Sequence, residues 1–339
     1  MRLKHITAMI HARNMEFFRD RGTFFWNMIF PFFLIFGFAF AFSGDGEEVL
    51  TIGTFGDPPA AVTDADQPPA FLDMPGVSYR SYDDGAYAED QVATHQIDLL
   101  IDWTREAYLV NVTSERGALA EQVLRSNGGG MLTRAEISGE PIRYIDWFVP
   151  GVIGINMMFS SLFGVGFVIV RYRKNGVLKR LRATPLNSLE FVSAQMVSRL
   201  LIVTVTSIIV FAGANIFLNF MMKGSYLLLL LVTVVSIITL ISFGLVFAAR
   251  FRSEEVASGV INVAVWPMLA FSGIFFSLEN VPPVMRHISR VFPLTHFLEA
   301  TRAVMLEGAG FAAISGNLAA MAVMTAVFLL VASLIFRWE

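Results

Sequence analysis

The sequence contains no cysteine and few charged residues. Without cysteine the chain can form no disulfide and no thiolate metal site, and thiol content says nothing about its compartment. Only 16% of the 339 residues are charged, whereas 55% are hydrophobic, and the mean hydropathy is +0.60. This composition excludes an ordinary soluble protein and indicates a chain that crosses a lipid bilayer.

Several catalytic motifs are also missing. No G-x-x-x-x-G-K-[ST] phosphate loop, H-E-x-x-H zinc motif or G-x-S-x-G nucleophile motif occurs. The five histidines are scattered over different regions, so no metal site is predicted. We expect the chain itself not to be an enzyme and to hold no cofactor.

Long uncharged runs identify the membrane-spanning helices. A helix needs about 20 apolar residues to cross a hydrocarbon core of about 30 Å. Six windows fit, and the predicted spans are 23–43, 147–170, 191–220, 224–249, 256–278 and 311–336. The third contains one charge, Arg199, which we expect to snorkel toward the interface. Residues 1–22 have an apolar face among basic side chains and predict a helix lying in the cytoplasmic interface.

The short basic flanks give the orientation. Residues 1–21 carry five basic and two acidic side chains, and the loop 171–182 carries six basic and none acidic. Because Lys and Arg accumulate on the cytoplasmic side, both segments and both termini are predicted to be cytoplasmic. We expect a multi-pass protein of the bacterial cytoplasmic (inner) membrane.

The segment 44–146 reads as a folded domain on the outer side. Residues 45–146 include 19 acidic and 6 basic side chains, a net charge of −13, which favours water. Alternating hydrophobicity and capping signals predict strands at 49–55, 77–82, 97–102 and 107–112, and helices at 84–96 and 114–126. The predicted fold is thus an α-helical polytopic membrane protein with six transmembrane helices, an N-terminal interfacial helix and an α/β extracytoplasmic domain between spans 1 and 2.

Two boundary segments carry motifs. In the basic cytoplasmic segment 171–190, Leu178 and Leu181 are spaced for one helical face and Pro185 breaks the helix. Composition alone would also allow a simple positive-inside anchor. The prolines of 279–310 predict short helices that re-enter the outer leaflet, tolerated where protein buries the backbone.

In these segments the chain resembles the permeases of the ABC-2 type transporter family. The cytoplasmic signature is carried by Gly176, Leu178, Leu181, Arg182, Thr184, Pro185 and Leu186. The carboxy-terminal signature is carried by Ser272-Gly273, Val281-Pro282, Pro293-Leu294-Thr295, Arg302 and Gly308, and the entry to the second span by residues 144–151. The chain departs from the pattern at Lys174, Asn175 and Lys179, where the family often has acidic residues.

The resemblance implies an exporter permease paired with a second permease chain, homologous or identical, and with two separate ATPase subunits that bind ATP and Mg. It implies no nucleic acid partner. The interfacial helix, the loop 171–190 and the turn 250–255 would contact the ATPases, through Gly176, Leu178, Arg180, Leu181, Arg182, Thr184, Pro185, Arg252 and Glu254. The outer gate or re-entrant region would include Gly273, Pro282, Pro293, Thr295 and Arg302.

A substrate pathway between the two chains is the remaining implication of the resemblance. Its candidate residues are Asn156, Met157 and Asn262, although an interhelical hydrogen bond would equally explain a buried asparagine. We expect an apolar or amphipathic cargo such as a drug or lipid. A membrane-anchored sensor or scaffold, with a ligand bound to the outer domain, is the alternative function; a channel is a third, for which no filter motif stands out.

Overall fold

The computed structural model describes residues 3–41, 50–59, 71, 74, 76–183, 187–251, 253–275, 278 and 281–335. The chain divides into two compact units. A helical unit comprises Met1–Ala41 and Tyr144–Glu339, and an α/β unit comprises Phe42–Arg143.

The helical unit consists of helices of very unequal length. They are α1 Leu3–Arg19, α2 Arg21–Ala41, α5 Tyr144–Ser161, α6 Val168–Lys174, α7 Val177–Arg182, α8 Ser188–Leu218, α9 Tyr226–Arg250, α10 Glu254–Phe271, α11 Pro283–Ser289, α12 Pro293–Leu306 and α13 Phe311–Ile335. A π-helical turn, Leu162–Phe167, joins α5 to α6. Such turns carry i→i+5 hydrogen bonds and are frequent at functional sites.

Five helical segments of the described chain are long and apolar enough to cross a membrane. They are Arg21–Phe40, Tyr144–Lys174, Glu190–Leu218, Tyr226–Arg250 and Phe311–Ile335. Helix α10, in the window predicted as the fifth span, has only 18 residues and begins with two glutamates. It ends at Phe271, seven residues before the predicted limit, because Gly273 follows with a left-handed φ of +77°.

The boundary between α1 and α2 is a helix cap. The Asp20 carboxylate accepts hydrogen bonds from the backbone N–H of Thr23, at 3.1 Å, and from its hydroxyl, at 2.6 Å. These bonds lower the pKa of Asp20. The ionised cap therefore stabilises the start of α2 at neutral pH, and this contribution is lost only as the pH falls through the lowered pKa.

The α/β unit is built on a five-stranded sheet in the order β2-β1-β3-β4-β5. Its strands are β1 Leu50–Phe55, β2 Val77–Tyr82, β3 Leu99–Asp102, β4 Ala107–Asn111 and β5 Thr133–Ile137. β1 pairs in parallel with β2 and β3, β3 is antiparallel to β4, and β4 is parallel to β5. The helices are α3 Gly85–Ala93 and α4 Glu115–Ser126.

The helices of the α/β unit cover opposite faces of the sheet. Leu99 and Ile101 pack with Leu124 of α4, whereas Leu100, between them in the strand, packs with Val92 of α3. This alternation follows from the two-residue period of a strand. The four predicted strands and two predicted helices are present. The edge strand β5 was not predicted, because its exposed sequence, Thr-Arg-Ala-Glu-Ile, has little hydrophobic signal.

A buried asparagine locks the end of β4 to the rest of the α/β unit. The Asn111 side chain is 2% exposed. Its amide N–H groups donate to the carbonyls of Ala93, at 2.8 Å, and Gly139, at 3.3 Å. Its Oδ1 accepts from the backbone N–H of Thr113, at 2.9 Å. One side chain thus joins α3, β4 and the segment after β5.

Asn111→Asp should destabilise the α/β unit by about 1–3 kcal/mol, because an acceptor would then face the two carbonyls. The measurement is amide hydrogen exchange of β3 and β4 in the full-length protein. Asn127→Asp, the same change at the partly buried end of α4, is the control and should cost less than about 1 kcal/mol. Equal effects of the two variants would contradict this account.

Candidate functional site

The basic loop predicted to contact a partner is a pair of short helices. α6 ends at Lys174, and Gly176, with φ +67°, precedes α7. Leu178 is buried, whereas Lys179 and Arg180 are exposed. Since one face of α7 packs on the protein, its basic face remains available to a partner.

Arg173 fastens this loop to the end of α9. Both of its terminal nitrogens donate to the carbonyl of Ala248, at 3.1 Å, and Nη1 also donates to the carbonyl of Phe251. The last carbonyls of a helix lack intrahelical partners and carry partial negative charge. The guanidinium therefore satisfies these groups and fixes α6 against the turn after α9.

Ion pairs connect the same loop to the start of α10. Lys174 Nζ lies 3.5 Å from Glu254 and 3.6 Å from Glu255, and Arg171 Nε lies 3.9 Å from Glu254. A hydrogen bond from the Ser253 hydroxyl, with the nearby Lys174 charge, lowers the pKa of Glu255. The predicted coupling loop and the predicted turn 250–255 are thus in direct contact.

The N-terminal helix joins this group through α6 and α8. Tyr172 donates a hydrogen bond to Glu16, and Arg13 Nη1 lies 2.6 Å from Glu16. Burial opposes ionisation of Glu16, but the bonds from Tyr172 and Arg13 outweigh it and lower its pKa. Ser198 also donates to Asn14, at 2.6 Å. We call α1, residues 171–183 and residues 250, 251 and 253–255 the coupling surface.

Not every predicted coupling residue lies in the described part of the chain. Thr184, Pro185 and Arg252 lie outside it, and Arg182 is described only as the last residue of α7. Arg180 donates to the carbonyl of Asn175 at 3.2 Å, which closes the turn between the two short helices. Glu254 is the predicted residue that ties the loop to α10.

The predicted gate residues lie at the ends and in the interior of helices, and one of them, Arg302 of α12, makes several contacts. Its guanidinium donates to the carbonyls of Gly273, at 2.8 Å, and Trp147, at 3.2 Å, and lies 3.6 Å from the centre of the Trp147 ring. The Thr295 hydroxyl donates to the carbonyl of Ser289 at 2.7 Å, which joins α12 to α11. Pro282 occupies the position before the first residue of α11, and Pro293 is the first residue of α12. Of the predicted gate residues, Gly273 and Arg302 are in direct contact.

The three predicted pathway residues have different surroundings. Asn156 donates to the carbonyl of Asn27 at 3.0 Å, an interhelical hydrogen bond. Met157 is fully buried. Asn262 donates to the carbonyl of Ser258 in its own helix, at 2.9 Å.

Asn156 lines a cleft in the helical unit, which we call the arginine cleft. Its volume is about 470 Å³, and α1, α2, α5, the π-helical turn and α8 contribute to its walls. Polar groups meet at one part of it, including Arg13, Asn27, Ser160 and Arg199, and aromatic rings form the rest, including Trp26, Phe30, Phe159 and Phe163. Arg171 and the acids Glu16 and Asp20 also line the cleft, which therefore combines a charged region with an excess of arginine and an apolar region.

The structure corrects the prediction for Arg199. Its side chain does not snorkel to the interface, since the residue is only 6% exposed and Nε donates to the carbonyl of Ser160 at 2.6 Å. Its guanidinium lies 5.7 Å from the centre of the Phe17 ring. The prediction was wrong because α1 packs over this part of α8, which begins at Ser188, eleven residues before Arg199.

Sequence reasoning missed the residues that join distant parts of the helical unit. Arg13 donates to the carbonyl of Gly164, 151 residues away, and Arg173 binds carbonyls more than 70 residues away. In the sequence, the one signal for such a residue is a single charge within an apolar segment, and Arg199 is the residue that shows it. Arg13 and Arg173 lie among other basic residues, so nothing local distinguishes them.

Arg173→Gln should loosen the coupling surface, because one neutral amide cannot replace the two-carbonyl contact of the guanidinium. We expect amide exchange in residues 171–182 to rise about tenfold. Hydrogen-exchange mass spectrometry measures this, with Lys179→Gln, on the exposed face of α7, as the charge-matched control. Unchanged exchange in Arg173→Gln would rule out the fastening role.

Comparison with known proteins gives one family. The model of the ABC-2 type transporter family matches residues 111–306, more than half of the chain. The chain is 24% identical over 181 residues to the probable multidrug ABC transporter permease YbhR of Escherichia coli K12, covering 53% of this chain and 49% of that protein.

Two further relatives have similar descriptions. The probable multidrug ABC transporter permease YbhS of Escherichia coli K12 is 20% identical over 191 residues, covering 56% of this chain and 48% of that protein. The putative transport permease YvfS of Bacillus subtilis 168 is 28% identical over 149 residues, covering 42% and 58%. The chain spans about half the length of the two Escherichia coli relatives it matches.

Proposed function

Since this chain belongs to the ABC-2 type transporter family, we propose that it is the permease subunit of an exporter powered by separate ATP-binding subunits. The observation that supports this proposal is the coupling surface, in which three elements far apart in sequence are tied together by Arg173, Lys174 and Glu16. Short helices fixed to long ones can pass a partner's movement into the membrane as a rigid-body shift.

Two ATPase subunits would bind ATP and Mg and dock on this surface, one on each of two permease chains. Arg180 and Leu181, with Arg182, Thr184 and Pro185 beyond them, would provide the contact. The basic face of α7 favours an acidic partner surface, since its exposed cations have no carboxylate neighbour in α7 itself.

The proposed topology has six spans in a bacterial cytoplasmic membrane, with both termini inside. Helix α10, the fifth span in chain order, would complete the six. The α/β unit would lie outside, between the first two spans. The basic residues of 1–21 and of the loop 171–182 support this orientation. α11 and α12 would form the outer re-entrant region, with α12 held by Arg302 and joined to α11 by Thr295.

The cargo would be an apolar or amphipathic molecule such as a drug or a lipid. The relatives named as probable multidrug permeases support this class, and Asn156 in the arginine cleft is the pathway residue that we retain. A sensor or scaffold, the alternative, has no comparable support, since neither the coupling surface nor the family favours it.

Replacing Leu181 and Arg182 together by Asp should abolish ATPase capture, because two carboxylates would replace an apolar and a basic contact. The measurement is co-purification of P-loop ATPases from native membranes after gentle extraction, followed by transport. The matched control, Val284→Asp with Arg286→Asp, makes the same change on the exposed face of α11 and should leave capture intact. If ATPase capture and transport both survive in the Leu181→Asp/Arg182→Asp variant, α7 is not the docking element.

Single cysteines test the topology, because the chain has none of its own. A cysteine at Leu119, which is 54% exposed on α4, should react with an impermeant maleimide in intact spheroplasts. A cysteine at Lys179 should react only after the membrane is opened. Labelling of both before opening, or of neither, would overturn the proposed orientation.

A further inference from the structure

The arginine cleft contains a buried positive charge with no acidic partner. Arg199 is 6% exposed, and among the described residues the bond that it donates is the one from Nε to the carbonyl of Ser160. Its Nη atoms have no hydrogen-bond partner there, and the residue lines the cleft. A buried arginine stays charged, and buried charges are nearly always paired.

The acids of the cleft are already engaged. Glu16 is bound by Arg13 and Tyr172, and Asp20 caps α2 through Thr23. No ion pair joins either acid to Arg199 in the described part of the chain. The cleft therefore holds a cation that lacks a counter-ion.

The backbone is shaped to hold this guanidinium. A Cβ atom on Gly164 would lie 2.0 Å from Nε and Cζ of Arg199, so only glycine lets the guanidinium rest there. The carbonyl of the same residue accepts a bond from Arg13 Nη2 at 3.2 Å. Two arginines from different helices thus meet at one residue of the π-helical turn.

We propose that the arginine cleft binds the anionic headgroup of an amphiphile, a phosphate or carboxylate, at Arg199 with Arg13 beside it. The apolar chain lies along Trp26, Phe30 and Phe159. Arginine binds such oxyanions with paired N–H donors, and the cleft volume of about 470 Å³ is in the range of small-molecule sites. The aromatic wall favours an amphiphile over a free inorganic anion. The binding itself does not depend on the proposed function. The inference rests on that function only where it identifies the ligand as an exported molecule or as a lipid of the membrane across which transport occurs.

The test is direct binding to the purified full-length chain in a neutral maltoside detergent, so it requires no ATPase. The probe is n-dodecyl phosphate, with dodecyltrimethylammonium as the probe of equal chain length and opposite charge. We expect the anion to bind at least about tenfold more tightly, as measured by isothermal titration. Equal affinity for the two probes would overturn the proposal.

Variants locate the binding. Arg199→Gln and Gly164→Ala should each weaken dodecyl phosphate binding about tenfold or more, the first by removing the charge and the second by displacing it. Arg199→Lys should retain part of the affinity. Arg19→Gln, which removes an exposed charge from α1 outside the cleft, is the matched control. Circular dichroism checks that both variants are folded. If Arg199→Gln then binds dodecyl phosphate as tightly as Arg19→Gln does, the proposed site is refuted.

A second arm identifies the source of the ligand. Wild-type protein and Arg199→Gln are placed in nanodiscs of phosphatidylglycerol or phosphatidylcholine, and retained lipid is counted by native mass spectrometry. Phosphatidylglycerol retained by the wild type alone supports the site with a membrane lipid as its occupant. Dodecyl phosphate binding without retained lipid supports it with a free amphiphile. If ATPase capture fails while this binding persists, the proposed function is at fault and the site stands.

Discussion

The hydrogen bonds from Arg173 to the carbonyls of Ala248 and Phe251 organise one end of the helical unit. They place α6 beside the turn after α9. On the same helix, Lys174 lies near Glu254 and Tyr172 donates to Glu16. An exposed ion pair contributes little by itself. A charged donor that satisfies helix-end carbonyls contributes more, so we expect the exposed ion pairs to depend on this partly buried contact.

The charges of the coupling surface also explain a departure from the family pattern. Where related permeases often have acidic residues around the glycine of this loop, the chain has Lys174, Asn175 and Lys179. The acids are found instead on α10, where Glu254 and Glu255 face Lys174. The local surface therefore keeps both signs of charge, with the acidic side supplied by another helix.

Hydrophobic runs and strand periodicity predicted most helices and four of the five strands, because these signals are local. The end of α10 was not predictable from hydropathy, since Gly273 stops the helix within an apolar run. The roles of Arg13, Arg173 and Arg199 were missed because each depends on packing between helices distant in sequence. The sequence was enough to assign the candidate coupling site to segments of the chain. The contacts between those segments could be identified only from the three-dimensional structure.

The π-helical turn Leu162–Phe167 sets the rotation of α6 about its axis relative to α5. Its wider loop accommodates one more residue than a regular α-helical turn would. Losing one residue there would turn α6 by about 100° about its axis. Tyr172 and Arg173 would then face away from Glu16 and from the end of α9. A change of length in this segment is therefore less tolerable than a change of residue type, except at Gly164, where a side chain would meet Arg199. Related chains should keep the residue count here.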